Sequence, residues 1–186
     1  HASHPRAALR LAQYLGSEQL PGWLKRYGFD AAQLPADAAD LLDGTATTTP
    51  LELARAWTVL ARAGADPVTP ALIDRVTDAA GVVVYRPPPL PPHDPDRPAV
   101  EPRNIFLLGR MLAGAETGYG ESALPLRADL IGQGGSFSGS GDTWFAGMHS
   151  QVAAVAWIGP DTSDDPSWLR RQPVAIARAR EIWRDY

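Results

Sequence analysis

The stretch DTWFAGMHSQVAAVAWIG, residues 142–159, predicts two neighbouring strands and decides the fold class of the chain. Its first half alternates like a strand with one buried face, and that face comprises Trp144, Ala146 and Met148. Its second half, from Gln151 to Gly159, is almost entirely apolar, which is typical of a central strand covered on both faces. Between the halves, His149 and Ser150 form a tight connection, so the two strands should pair antiparallel.

The elements on either side complete an α+β domain. The segment from Leu130 to Phe137 predicts a third strand, which makes a three-strand antiparallel meander, and residues 172–185 predict a final helix. Residues 49–64 predict the clearest of the earlier helices, because they begin with a capping box. The other predicted elements are helices at 6–15 and 103–115, a helical segment around Trp23 and Tyr27, and a hairpin that turns at Asp78–Gly81.

Residues 87–98, PPPLPPHDPDRP, follow the hairpin and contain seven prolines. Such a segment adopts an extended, polyproline-like conformation, so we expect a connector within a single domain that spans residues 1–186. The alternative is a ligand for an SH3-type partner, but a spacer accounts for the composition more simply.

Composition and charge argue against several classes of function. Apolar residues make up 45% of the chain, which indicates a globular protein, and the net charge of -4 argues against a nucleic-acid partner. There is no cysteine, so neither disulfides nor cysteine-based zinc sites can form. No apolar run approaches the ~20 residues that a membrane-spanning helix needs, so membrane contact would require an upstream anchor. Lys25 is the only lysine among the 17 basic residues.

The glycine-rich strand followed by DTWFAGMHSQVAAVAWIG resembles the end of the transpeptidase domain of class A penicillin-binding proteins. Three further segments resemble the same family, in the same order along the chain. They are ASHPRAALRLAQYLG (residues 2–16), TTTPLELARAWTVLARAGADPVTPALIDRVTDAAGVVVY (47–85) and MLAGAETGYGESA (111–123). The resemblance covers nearly the whole chain and implies the C-terminal half of a β-lactamase/transpeptidase-like fold.

The reaction of that family is serine-type D,D-transpeptidation, and it depends on three motifs. A Ser-x-x-Lys motif supplies the nucleophile and its proton acceptor, because a serine is a poor nucleophile without an adjacent base. A Ser-x-Asn motif supplies a hydroxyl and an amide that holds the substrate. A Lys-Thr-Gly strand supplies positive charge and backbone hydrogen-bond donors.

This chain departs from all three motifs. Ser-x-x-Lys cannot occur within it, because Gly22 stands three residues before Lys25. Ser-x-Asn aligns with Ser3-His4-Pro5, and Lys-Thr-Gly aligns with Gln133-Gly134-Gly135. The resemblance therefore implies no catalytic residue and no cofactor, but a degenerate substrate-binding groove. The expected groove residues are Ser3, Gln133, Gly134, Gly135 and Ser136.

Two other kinds of site, a phosphate-binding loop and a catalytic triad, were considered for the residues around the last three strands. The glycine-rich run at 132–141 lacks the Gly-Lys-[Ser/Thr] of a phosphate loop. A catalytic triad could combine Ser136 or Ser150 with His149 and Asp142, although surface positions at a strand end and a turn explain these residues better.

Metal and carbohydrate sites are also weakly supported. The four histidines are scattered without an i,i+4 pair, which argues against a metal site. The six tryptophans could form a carbohydrate platform, but Trp57, Trp144 and Trp157 fall on predicted core faces, which favours packing.

The resemblance therefore implies a non-catalytic binding or scaffolding domain of peptidoglycan synthesis, in the periplasm or on the extracytoplasmic face of the inner membrane. Its partner would be a peptidoglycan stem peptide or a cell-wall synthase. The alternative is the C-terminal part of an active D,D-transpeptidase whose Ser-x-x-Lys lies upstream of His1. In the family, the strand that corresponds to Gln151–Gly159 is flanked by strands from the first half of the domain. We therefore expect a bare apolar edge here, covered by a neighbouring chain, a swapped copy or a rearranged helix.

Overall fold

The computed structural model describes residues 5–35, 37–43, 46–90, 92, 94, 96–115, 130–136, 142–149, 152–159 and 172–185. Its helices are α1 (Pro5–Leu15), α2 (Leu20–Arg26), α3 (Ala38–Asp43), α4 (Pro50–Ala61), α5 (Pro102–Ala115) and α6 (Gln172–Asp185). Its strands are β1 (Val76–Thr77), β2 (Val83–Tyr85), β3 (Ile131–Ser136), β4 (Thr143–Met148) and β5 (Ala153–Ile158). None of the helices in these ranges is long and apolar enough to cross a membrane.

The last three strands form an antiparallel sheet in the order β3-β4-β5, which confirms the predicted meander and the α+β class. The apolar pattern of β5 is typical of a strand covered on both faces, and this coverage is confirmed, because α4 and α6 contact β5 from opposite faces. Among the described residues β4 is the central strand and β5 the last strand, as a meander requires. Five of the six β5 residues are half-buried or exposed, and only Ala156 is buried.

The two faces of this sheet pack against different helices. One face, here called the α4 face, carries Ala146 and Met148 of β4 and contacts α4 and α5. Its core cluster consists of Val59, Leu60, Val100 and Ile105. The opposite face, here called the α6 face, contacts the C-terminal helix and buries Phe145, Ala156, Ala179 and Trp183.

Phe145 is the largest fully buried side chain on the α6 face, with 0% of its surface exposed. Its ring lies 5.2 Å from the ring of Trp183, whose indole N–H donates to the carbonyl of Ala154 at 2.9 Å. A Cβ atom at Gly147 would collide with the same indole, so glycine is required there for the helix to approach the sheet. From the alternation in the sequence, only the face with Trp144, Ala146 and Met148 was predicted to be buried, so the burial of Phe145 on the opposite face was missed.

Helix α4 begins with the predicted capping box. Thr49 Oγ1 accepts from the Glu52 N–H at 3.1 Å, and the Thr49 N–H donates to Glu52 Oε2 at 2.9 Å. These bonds, first from the backbone and then from the hydroxyl of Thr49, lower the pKa of the Glu52 carboxyl. The cap fixes the start of the helix that supports β4 and β5 on the α4 face.

Candidate functional site

The β3 strand carries the residues that the sequence analysis aligned with Lys-Thr-Gly, and every second residue directs its backbone groups away from β4. His149 and Val152 exchange both backbone hydrogen bonds, at 2.8 and 3.3 Å. Because hydrogen-bonded and non-hydrogen-bonded pairs alternate in an antiparallel ladder, the odd-numbered residues of β4 then direct their N–H and C=O groups toward β5. Its even-numbered residues direct theirs toward β3. The groups of Gly132, Gly134 and Ser136 consequently point away from β4 and are here called the β3 edge.

Gln133 lies beside this edge on the α4 face of the sheet, paired with Ala146 of β4. Its side chain is partly buried, and Nε2 donates to the carbonyl of Gly134 at 3.0 Å. That carbonyl belongs to the β3 edge, so the Gln133 amide shields one of the acceptors that an added strand would use. A neutral amide can form this bond but supplies no positive charge for an anionic ligand.

The last two residues of β3, Gly135 and Ser136, are both exposed. Among the described residues, a Cβ atom at Gly135 would meet no atom within 4 Å. β3 itself contains no ionisable side chain, so its recognition chemistry is limited to hydrogen bonds.

The structure places four of the five predicted groove residues, Gln133 to Ser136, consecutively on β3. Ser3 and the turn at Gly118-Tyr119-Gly120 lie outside the described residues, so their position relative to β3 stays a prediction. Pro5, which the sequence analysis aligned with the motif asparagine, is the first residue of α1.

The alternative catalytic triad does not assemble. Asp142 and His149 flank opposite ends of β4, and seven residue steps in a strand separate them by about 20 Å. The Asp142 carboxylate instead accepts from the indole N–H of Trp157 at 3.1 Å. In the described ranges, no three His, Asp or Glu side chains are grouped as metal ligands would be.

Trp157 also corrects an expectation from the sequence. It was assigned to the core, but 44% of its surface is exposed at the sheet edge. Its ring centroid lies 6.0 Å from that of Trp144, the residue opposite it on β4. The contact between Trp144 and Trp157 follows from the register of the β4–β5 hairpin. The same register could have been used to predict from the sequence that Asp142 lies close to Trp157.

A separate cavity of about 500 Å³ lies between the C-terminal end of α4, the strand β2 and the proline-rich segment. Arg62, Val68, Tyr85, Pro87 and Leu90 are among its lining residues. None of the β3 groove residues lines this cavity, so its size does not bear on the chemistry of the candidate site.

No protein-family model matches the chain. The chain is 29% identical over its whole length to penicillin-binding protein 1A of Neisseria lactamica, and it covers 23% of that protein. It thus spans about a quarter of the length of the curated relatives that it matches.

Two solved structures have the same fold. A crystal structure of penicillin-binding protein 1A from Haemophilus influenzae aligns with a TM-score of 0.70 at 22% identity, covering 96% of this chain and 32% of that one. The D,D-transpeptidase domain of a peptidoglycan glycosyltransferase from Eggerthella lenta aligns with a TM-score of 0.63 at 20% identity, covering 96% of this chain and 51% of that one. The fold expected from the sequence is confirmed.

Proposed function

Because the chain is similar throughout to penicillin-binding protein 1A and has the fold of the C-terminal part of a transpeptidase domain, we propose that it acts without catalysis in peptidoglycan synthesis. Its role would be to hold an extended peptide, such as a peptidoglycan stem peptide, on the β3 edge. A cell-wall synthase could bind the same edge if it presents an extended segment of its own chain. Both ligands place the domain on the periplasmic side of the membrane.

The β3 edge is the observation that carries this proposal. The backbone groups of Gly132, Gly134 and Ser136 point away from β4. Gly132 is buried and Gly134 is half-buried, so exposed Ser136, at the end of the strand, is the position that an added peptide can reach. A peptide that adds to such an edge gains main-chain hydrogen bonds, while pockets for its side chains supply specificity. The open space over Gly135 leaves room for the ligand at the end of the strand.

The residues on β3 support binding without bond cleavage. Gln133 stands where the family motif has lysine, and its amide neither takes up a proton nor attracts a carboxylate as an ammonium group does. The 186 residues contain no Ser-x-x-Lys, so no serine has the adjacent lysine that the family uses as base. General acid–base catalysis is typically worth ~10²–10⁴ in rate.

Peptide titration of two variants at one position tests the proposal. Ser136→Pro removes an outward N–H from the β3 edge, whereas Ser136→Ala removes the hydroxyl and keeps that N–H. Loss of one neutral hydrogen bond should weaken binding of a synthetic stem peptide ending in D-Ala-D-Ala about 2- to 10-fold. Isothermal titration calorimetry should give this loss for Ser136→Pro and an unchanged Kd for Ser136→Ala.

Two results would count against strand addition at this edge. One is an equal affinity for the Ser136→Pro protein and the unsubstituted chain. The other is a complete absence of binding by the unsubstituted chain while its circular dichroism spectrum shows that it is folded.

A further inference from the structure

The cavity between the end of α4, β2 and the proline-rich segment is separate from the candidate site on β3. Its volume of about 500 Å³ falls within the range of about 300–1,000 Å³ that is typical of small-molecule sites. All of its lining residues belong to the stretch 62–92, so a single local part of the chain forms the cavity.

Prolines form most of the apolar wall of this cavity. The lining prolines are Pro67, Pro70, Pro87, Pro88, Pro89 and Pro92, and the other apolar lining residues are Val68, Ala71 and Leu90. Proline fixes its own φ angle, so walls of this composition lose little conformational freedom when a ligand binds. Proline-rich segments pack against aromatic rings in peptide recognition, which indicates that these walls can hold an aromatic ring.

Hydrogen bonds fix the wall that follows α4. The Val68 N–H donates to Thr58 Oγ1 at 3.1 Å, and the same hydroxyl donates to the carbonyl of Arg55 at 2.6 Å. Arg62 Nη1 donates to the carbonyl of Asp66 at 2.9 Å. These bonds attach the segment after α4 to the helix, so this side of the cavity is formed before a ligand enters.

The cavity carries one positive and one negative side chain, those of Arg62 and Asp66. The hydrogen bond between the two residues places them next to each other at one end of the cavity. That bond uses one N–H of the guanidinium and a neutral carbonyl, so the remaining N–H groups of Arg62 can donate to a ligand. An apolar cavity with opposite charges at one end is complementary to a zwitterion that has an apolar side chain.

We propose that this cavity binds a free α-amino acid with an aromatic side chain. The aromatic ring lies among the prolines, the carboxylate accepts from the Arg62 guanidinium, and the α-ammonium group lies beside the Asp66 carboxylate. Arginine suits this role because its planar guanidinium can donate two parallel hydrogen bonds to one carboxylate. The cavity shares no residue with the β3 edge, so the inference is independent of what that edge binds.

Titration of the ¹⁵N-labelled chain with L-phenylalanine, followed by NMR, tests the site and measures Kd. We expect shifts at the amides of Val68, Tyr85 and Leu90, which line the cavity, and none on β3. Arg62→Gln should weaken binding about tenfold or more, because it replaces a charge-assisted hydrogen bond with a neutral one. Arg86→Gln is the matched control, since Arg86 is exposed and does not line the cavity, so its Kd should be unchanged.

Ligand analogues give a second readout that does not depend on the folding of a variant. L-Phenylalaninamide lacks the carboxylate and N-acetyl-L-phenylalanine lacks the ammonium group, so each should bind about tenfold more weakly than L-phenylalanine. Glycine lacks the ring and should cause no shifts. An absence of shifts with L-phenylalanine, shifts confined to β3, or equal affinity for L-phenylalanine and either analogue would each overturn the proposal. An unchanged Kd for a folded Arg62→Gln protein would overturn it as well.

Discussion

Replacing Phe145 by alanine is expected to lower the free energy of unfolding by about 3–5 kcal/mol. The side chain is fully buried on the α6 face, where it packs against Trp183 and Ala156. Its removal takes away apolar contact on the central strand and leaves a cavity that the close-packed helix and sheet cannot fill. Since small domains are stable by only about 5–15 kcal/mol, this single change should remove a large part of the total.

Phe106→Ala is the matched control for this prediction. Phe106 lies on α5 with 68% of its surface exposed, so the same chemical change should alter stability by less than about 0.5 kcal/mol. Urea unfolding followed by circular dichroism measures both effects. A similar midpoint for the two variants would show that α6 does not pack on β4 as described.

Gln133→Lys is expected to strengthen binding of a peptide with a free C-terminal carboxylate by about tenfold. A charge-assisted hydrogen bond contributes about 1.5–3 kcal/mol and a neutral one about 0.5–1.5 kcal/mol, and a difference near 1.4 kcal/mol is tenfold in Kd. The substitution also releases the carbonyl of Gly134 from the Gln133 amide, which frees an acceptor on the β3 edge. The gain should diminish at high salt, because exposed charges are screened.

The same peptide with a C-terminal carboxamide is the control ligand. Its affinity should rise much less, since it offers no negative charge to the new ammonium group. Fluorescence anisotropy with both peptides separates the two contributions. An equal gain for carboxylate and carboxamide would show that position 133 does not face the peptide terminus.

Local sequence patterns predicted the elements, and the predicted meander placed β4 between β3 and β5, as observed. Thr49 and Glu52 determine the start of α4 through short-range hydrogen bonds, so the capping box could be read directly. The run from Gln151 to Gly159 is apolar whether its strand is central or at an edge, and only the pairing partner distinguishes the two cases. Phe145 was overlooked because its partner, Trp183, is distant in sequence and reaches it only through the packing of α6.

The sequence named candidate residues on a strand but could not give their geometry. The motif alignment placed Gln133 to Ser136 on a strand, which the structure confirms. It could not show that the Gln133 amide donates to Gly134, because that contact depends on a side-chain rotamer and on the direction of the carbonyl. The exposure of Trp157 was likewise unpredictable, because it follows from the edge position of β5.

Intact-mass spectrometry of the 186-residue chain after incubation with benzylpenicillin is the most direct test of a binding domain that does not catalyse. Because the 186 residues contain no Ser-x-x-Lys, and a lysine at position 133 does not create one, we predict an unchanged mass for the unsubstituted chain and for Gln133→Lys. A mass increase of one penicillin molecule, localised to a serine, would contradict the proposed function and favour an active transpeptidase.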